Sequence, residues 1–374
     1  MNTLGIIKSK PRFYSLKNIL SKHAQYNIII GERSNGKTYA CLKYALEQYA
    51  NNQKQTAIVR RFREDFTGRR GATMFDALVA NGEITKITGG EWTGVYYWSS
   101  RWFLCRYGEN GERIKDENPF CYGFSLNSAE HDKSTSYPNI NTIIFDEFIT
   151  RNLYLTDEFT IFQNVISTII RQRTDIKIFM LGNTVNKYAC PYVDEMGLKH
   201  FKNMKQGDID VYRYGDTELT VAVEYCKPNK EGKPNNYYFA FDNPKLSMIT
   251  GGEWELNIYP HIPVKYKPKN VLLHFYINYS SEWLHCEVVN VDEHNFIYVH
   301  PKTTPLTEYD KSHVIIFSPE FSSLPNWNRR INEPRNKTTK RIFEYFIRDK
   351  VFYSSNDVGE ILRNYLVWCR KSDL

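Results

Sequence analysis

The chain has 374 residues, of which 41% are hydrophobic, 24% charged and 15% aromatic, and a formal net charge of +7. That balance builds packed cores and excludes a largely disordered chain, and the length accommodates two domains of ~150 residues. No apolar run approaches the ~18 residues of a membrane span, and Met1–Leu20 lacks the apolar core of a secretion signal.

The seven cysteines (Cys41, Cys105, Cys121, Cys190, Cys226, Cys286 and Cys369) include no C-x-x-C pair. They point to a reducing compartment rather than a disulfide frame or a zinc knuckle. Charge is unevenly spread. Residues 1–205 hold 28 basic against 20 acidic groups, residues 271–328 hold 2 against 7, and residues 329–371 hold 11 against 5. Basic regions flanking an acidic middle permit a polyanionic partner without proving one.

In chain order, residues 26–30 (Tyr-Asn-Ile-Ile-Ile) read as a short buried strand ended by Gly31. From Thr38 to Ala50, apolar residues at helical spacing predict a helix, and Thr56–Val59 a second strand. Trp92–Tyr107 reads as a hairpin turning at Ser99-Ser100. Thr142–Phe145 is a buried strand, Phe159–Arg173 a helix and Ile176–Leu181 another buried strand. Short apolar strands alternating with helices predict an α/β domain with a parallel sheet covered on both faces. The Pro/Gly/Lys-rich stretch from Lys227 reads as a linker or exposed loop, and Pro260, Pro263 and Pro268 close the connecting region. Val271–Tyr279, Trp283–Val291 and Phe296–Val299 predict an antiparallel meander, and Thr338–Val351 and Asp357–Arg370 closing helices. The expected division is 1–225, a linker region 226–264, and a smaller α+β domain 265–374.

Gly31-Glu32-Arg33-Ser34-Asn35-Gly36-Lys37-Thr38 fulfils the G-x-x-x-x-G-K-[ST] pattern between a strand and a helix. In a loop of this kind backbone N–H groups surround the phosphates, and Gly36 allows close approach. Lys37 faces the β- and γ-phosphates, and the Thr38 hydroxyl is a Mg²⁺ ligand. Asp146 and Glu147 end the 142–145 strand. The first carboxylate suits Mg²⁺, and the second suits orienting or deprotonating an attacking water. Together these residues imply ATP and Mg²⁺ as the cofactors, and hydrolysis rather than binding alone. Asn183, after Leu181-Gly182, is either a sensor of the γ-phosphate or a turn asparagine. Arg171 and Arg173 end a helix, where they serve either as an arginine finger or as cations favoured at a helix C-terminus. Arg60, Arg61 and Arg63 follow a strand end and suit either contact with phosphates or DNA, or a solvated face.

The loop, Val59-Arg-Arg-Phe-Arg-Glu, the run from Ser136 to Phe148, Arg171-Gln-Arg and Leu181-Gly-Asn together resemble the DNA-packaging ATPases of small φ29-type tailed bacteriophages, over roughly residues 25–190. The resemblance implies an additional-strand P-loop (ASCE), terminase-related ATPase domain. It implies a homo-oligomeric ring, a pentamer, at the portal of a procapsid in the host cytoplasm, driving double-stranded DNA, with a structural packaging RNA in some members. Glu147 would be the catalytic glutamate, Arg171 the finger acting on a neighbour's ATP, and Lys133 a further residue acting in trans. Arg33 matches an arginine the family carries inside the loop. Residues 271–301 resemble more loosely that family's C-terminal domain, a degenerate RNase H-type nuclease fold. The first strand of this region, Val-Leu-Leu-His-Phe-Tyr-Ile-Asn-Tyr, holds no carboxylate to start a two-metal centre, and Asp292 and Glu293 lie in a turn. A binding domain without nuclease activity is expected. Competing readings are another nucleic-acid translocase or helicase, disfavoured by the lack of a helicase motif set, a nucleotide-dependent switch, disfavoured by Glu147, and a terminase-like nuclease, disfavoured by the missing carboxylates.

Overall fold

A computed structural model describes residues 14–31, 35–128, 136–150, 154–183, 190–215, 217–227, 259–262, 264–280 and 282–370. These fall into two compact units. One holds the stretches up to residue 183 and from 195 to 227; the other holds 190–194 and the stretches from 259 to 370. Most of the expected 226–264 linker lies outside the described residues.

The first unit is built on a ten-stranded sheet. Its strands are β1 (Tyr26–Gly31), β2 (Gln55–Arg60), β3 (Gly94–Trp98), β4 (Arg101–Tyr107), β5 (Arg113–Lys115), β6 (Cys121–Ser125), β7 (Ile140–Asp146), β8 (Lys177–Asn183), β9 (Ile209–Arg213) and β10 (Thr220–Tyr225). The order is β3-β4-β6-β2-β7-β8-β1-β10-β9, with β5 on β4. The six strands from β6 to β10 in this order are parallel, and β3, β4, β5 and β9 are antiparallel additions. The expected parallel sheet is therefore its central part. The antiparallel edge comes from the predicted hairpin, whose turn places Ser99 and Ser100 at φ +50° and +56°.

Adjacent residues of a strand face opposite sides of the sheet, so a strand buried on both faces has no polar alternation. On one side, helix Lys37–Asn52 packs Cys41, Leu42, Ala45, Leu46 and Tyr49 into a cluster with Ile29, Ile58, Ile144, Phe179 and Leu181. On the other, Phe145 meets Phe162 of helix Glu158–Ile170, with ring centroids 4.8 Å apart. Each such fully buried side chain contributes ~1.5–3 kcal/mol of transfer free energy. This two-sided packing fixes where β1, β7 and β8 end.

The second unit has a six-stranded sheet of β11 (Val271–Tyr279), β12 (Glu282–Val291), β13 (His294–Pro301), β14 (Ile316–Phe317), β15 (Trp327–Asn328) and β16 (Val351–Tyr353), ordered β15-β14-β11-β12-β13-β16. β11, β12 and β13 form the expected meander, β14 joins β11 in parallel, β15 joins β14 and β16 joins β13. Helices Lys337–Ile347 and Asn356–Cys369 bury Ile342, Tyr345, Val358, Ile361, Leu362 and Tyr365 with Phe275, Ile277, Cys286, Ile297 and Val299. The helix expected to reach Val351 stops at Ile347: Asp349 turns at φ +53°, the Lys350 amide bonds back to Tyr345 O at 2.9 Å, and Val351 starts β16.

Candidate nucleotide site

Three neighbouring strands carry the site. β8 lies between β1 and β7, so Gly31, Asn183 and Asp146 finish side by side at one edge of the sheet. Gly36 precedes the first helix at φ +90°, a left-handed conformation that a Cβ disfavours. The turn aims the N-terminus of a 16-residue helix into the cleft. Arg33 and Ser34, two expected loop ligands, lie outside the described residues, as does Lys133.

Lys37 is 6% exposed, and its ammonium sits among oxygens. It donates to Gly31 O at 3.2 Å, to Asn35 Oδ1 at 3.2 Å and to Asn183 Oδ1 at 3.4 Å. A buried ammonium needs such acceptors to offset its lost hydration. Thr38 Oγ1 donates to Asp146 Oδ1 at 3.2 Å. Glu147 stands at the rim with its side chain 60% exposed. Asn35, Gly36, Lys37, Thr38, Asp146, Glu147, Gly182 and Asn183 thus line one cleft of about 530 Å³, completed by Tyr39, Arg60 and Leu181.

Two arginines left open by the sequence have distinct places. Arg60, at the end of β2, pairs with Asp146 and approaches Glu147 Oε2 at 3.8 Å. Arg61 is buried and makes a bidentate pair with the fully buried Glu158, both bonds at 2.7 Å. It also donates to the carbonyls of Glu147 at 3.2 Å and Phe148 at 3.1 Å. Glu147 has φ +63°, a conformation uncommon for a side-chain-bearing residue. Arg61 holds the backbone there, and the Phe148 amide bonds Leu181 O at 3.1 Å, tying the end of β7 to β8. A Cβ on Gly182 would lie 2.9 Å from Ile149 Cδ1 and 3.0 Å from Phe148, so a side chain here would have to displace both. Arg63 is exposed, on the solvated side of the same turn.

Burial pushes the Cys226 thiol, whose Cβ would lie 3.0 Å from a Cβ on Gly31, up to about 12 and raises that of Cys41. Neither is a nucleophilic thiolate at neutral pH.

Arg171 is exposed and stands away from this cleft. Helix Glu158–Ile170 returns the chain from the end of β7 to the start of β8, and Arg171 caps it at φ +41°. The seven residues of β8 rise ~23 Å at the usual parallel-strand spacing, which puts Arg171 near the opposite edge of the sheet. Arg173 serves the helix end instead. Its side chain donates to the carbonyls of Ile169, Ile170, Tyr137 and Pro138 at 2.8–3.2 Å. The helix expected to reach Arg173 therefore stops at Ile170, where a side chain satisfies its last carbonyls.

A family model described as Podovirus DNA encapsidation protein (Gp16) matches residues 8–86 and 114–230, more than half of the chain. The chain belongs to this family. The DNA packaging protein of Bacillus phage phi29 is 24% identical over 181 residues, 47% of this chain and 48% of that protein. That of Bacillus phage B103 is 26% identical over 225 residues, 58% and 60% of the two. The chain thus aligns with between about half and three fifths of the length of these curated relatives. Among solved structures, the Phi-28 gp11 DNA packaging motor matches 98% of this chain and all of its own, at a TM-score of 0.56 and 19% identity. The bacteriophage Phi-29 viral genome packaging motor assembly matches 94% and 99%, at 0.55 and 18%. At these identities the likeness is one of fold, and it runs through both units of this encapsidation-family chain.

Proposed function

We propose that this chain is the ATPase subunit of a viral DNA-packaging motor, hydrolysing ATP to drive double-stranded DNA into a preformed procapsid. The observation that carries the reading is the position of β8 between β1 and β7, which gathers Lys37, Thr38, Asp146, Glu147 and Asn183 around one cleft. A strand inserted between the loop strand and the acid strand is the mark of additional-strand P-loop ATPases. The family and the packaging-motor titles of the two fold neighbours support the same reading.

The donor set fits Mg²⁺–ATP. The hydroxyl of Thr38 and the carboxylate of Asp146 are hard oxygen ligands 3.2 Å apart. Mg²⁺ bound there would neutralise charge on the β- and γ-phosphate oxygens. Lys37 and the helix N-terminus bind the phosphates, Lys37 exchanging its present oxygen partners for theirs. Asn183, in reach of Lys37, reports the γ-phosphate position. Glu147 orients the attacking water and accepts its proton, and its fixed backbone keeps the carboxylate at the cleft mouth. Arg60, paired with Asp146 and 3.8 Å from Glu147, places a cation beside both acids. Arg171 completes a neighbour's site in a ring, with Lys133 as a second residue in trans.

In this reading residues 1–225 form the ATPase domain, 226–264 the linker region and 265–374 a degenerate nuclease-like domain that binds nucleic acid. Support for the last part is the strand order, an antiparallel meander whose first strand is extended in parallel by β14 and β15, as in RNase H-type sheets. β11, β14 and β15 carry no Asp or Glu, so they offer no start to a two-metal centre. The partners are DNA, the portal of the procapsid, further copies in a pentamer, and in some members a packaging RNA; the place is the portal vertex in the host cytoplasm. The test is ATP turnover by the purified chain with and without procapsid and double-stranded DNA. A packaging motor accelerates when both are present and encloses nuclease-resistant DNA. Turnover indifferent to both overturns the proposal.

A further inference from the structure

Helices Lys337–Ile347 and Asn356–Cys369 cover one face of the sheet in the second unit, and the other face, where the Tyr276 hydroxyl donates to Asp310 of helix Glu308–His313, carries a row of histidines. Side chains two apart on a strand share a face. His285 and Glu287 therefore stand together on β12. On β13, His300 lies directly opposite His285 in the antiparallel register, and on β11 His274 lies opposite Glu287. The rings of His285 and His300 have centroids 4.7 Å apart, and those of His274 and His285 5.4 Å. The core-facing residues between them, Phe275, Cys286 and Val299, belong to the helix-covered side.

We infer that His285, Glu287 and His300 form a transition-metal site of the Zn²⁺ class. Their ligand atoms all lie within 4.8 Å of one another, so rotamer adjustments of ~1 Å bring them onto one cation at the usual bond lengths of ~2.0–2.2 Å.

Three details of the cluster suit a cation better than a bare ion pair. His300 Nδ1 donates to Pro301 O at 3.2 Å, which in the neutral ring leaves the lone pair on Nε2. That nitrogen faces Glu287 Oε2 at 3.6 Å, so in the neutral ring a lone pair opposes a carboxylate. A cation between them converts this opposition into two bonds. His285 Nε2 is buried with no hydrogen-bond partner among the described residues, and coordination would satisfy it. Finally, the hydroxyl of Tyr266 donates to Glu287 Oε2. A histidine pinned through its other nitrogen and a carboxylate steadied by a hydroxyl are the outer contacts that orient metal ligands.

Ligand chemistry selects the metal. Two imidazoles and one carboxylate suit Zn²⁺ and its first-row neighbours, whereas Mg²⁺ and Ca²⁺ prefer all-oxygen shells. This site is therefore chemically separate from the oxygen ligands Thr38 and Asp146. Three protein ligands leave a fourth position for water or another donor. Bound metal would clamp β12 to β13 on the face opposite helices Lys337–Ile347 and Asn356–Cys369.

The experiment is a Zn²⁺ titration of the full-length chain, stripped by chelator and held in excess Mg²⁺, in competition with a chromogenic zinc indicator. One Zn²⁺ per chain is expected. Substituted Co²⁺ should show visible bands of a low-coordinate nitrogen–oxygen site without the intense near-ultraviolet thiolate band that cysteine ligation would give. His285→Gln and His300→Gln should each weaken binding by more than ~100-fold, and Tyr266→Phe by ~10–100-fold, the range seen when an outer partner is lost. A circular-dichroism spectrum and a thermal midpoint matching those of the unaltered chain verify that each variant is folded. Zn²⁺ bound at less than stoichiometric amounts, a thiolate signature, or equal binding by folded His285→Gln and His300→Gln variants overturns the inference.

Discussion

Lys37 joins two parts of the chain through its ammonium, with Gly31 and Asn35 of the loop on one side and Asn183 at the end of β8 on the other among its oxygen partners. Gly31, Asn35 and Asn183 hold the ammonium at the floor of the cleft, where a phosphate would meet it. Lys37→Ala removes that cation and leaves the acceptors buried, so nucleotide affinity itself should fall, read by calorimetry; unchanged ATP binding would contradict the loop assignment. Glu147 behaves differently because it sits at the rim and touches no floor residue. Glu147→Gln keeps shape and hydrogen bonding, so binding should survive. Turnover should drop by ~10²-fold or more, the usual contribution of a positioned general base. A steady-state rate near that of the unaltered chain would remove Glu147 from the catalytic role. The two variants together separate holding the phosphates from attacking them.

At the scale of elements, the buried Arg61–Glu158 pair joins the end of β2 to the start of the helix after β7, with the Leu155 amide also on Glu158 Oε2 at 2.7 Å. Removing one partner strands the other charge in the interior. Arg61→Ala should therefore destabilise the unit by ~3–5 kcal/mol, read as a lower denaturant midpoint, and Glu158→Leu added to it should restore part of the loss. A midpoint unchanged by Arg61→Ala would show that the pair is not the clamp described. This pair also marks the limit of what sequence makes legible. Strands β1, β7 and β8 announce themselves as continuous apolar runs, and the loop by its glycine and lysine spacing. Nothing local distinguishes Arg61 from Arg60 or Arg63, since its partner is 97 residues away. Strands β6 and β10 carry no clear local signal for similar reasons. Cys-Tyr-Gly-Phe-Ser holds a glycine, and a Cβ there would collide with Phe66, while Thr-Val-Ala-Val-Glu-Tyr carries next to its end a buried Glu224 that accepts a hydrogen bond from Tyr14 at 2.6 Å. In both, a long-range contact licenses a residue that local propensity disfavours.

At the scale of the whole molecule, the topology of the first unit separates Arg171 from its own cleft. A parallel β7–helix–β8 crossover must return the chain to the end of the sheet where the strands start, while the cleft residues proposed to bind nucleotide gather where they end. An arginine at that place can stabilise phosphoryl transfer only on another copy of the chain. Arg171→Ala should thus bind ATP almost normally, since the charge acts mainly in the transition state. Its assembled form should hydrolyse ATP ~10³-fold or more slowly, as when an arginine finger is lost. The decisive measurement mixes Arg171→Ala with Glu147→Gln. Each pure assembly should be inactive, whereas a mixed one would contain interfaces that pair the intact Glu147 of one copy with the intact Arg171 of its neighbour. ATPase activity should reappear on mixing and peak at intermediate ratios. DNA-free hydrolysis is the proper readout, because one inactive copy can stall a coordinated translocation cycle without silencing every interface. Co-assembly verified by mass, with no recovered hydrolysis at any ratio, would count against action between copies and return Arg171 to the role of a solvated helix-end cation.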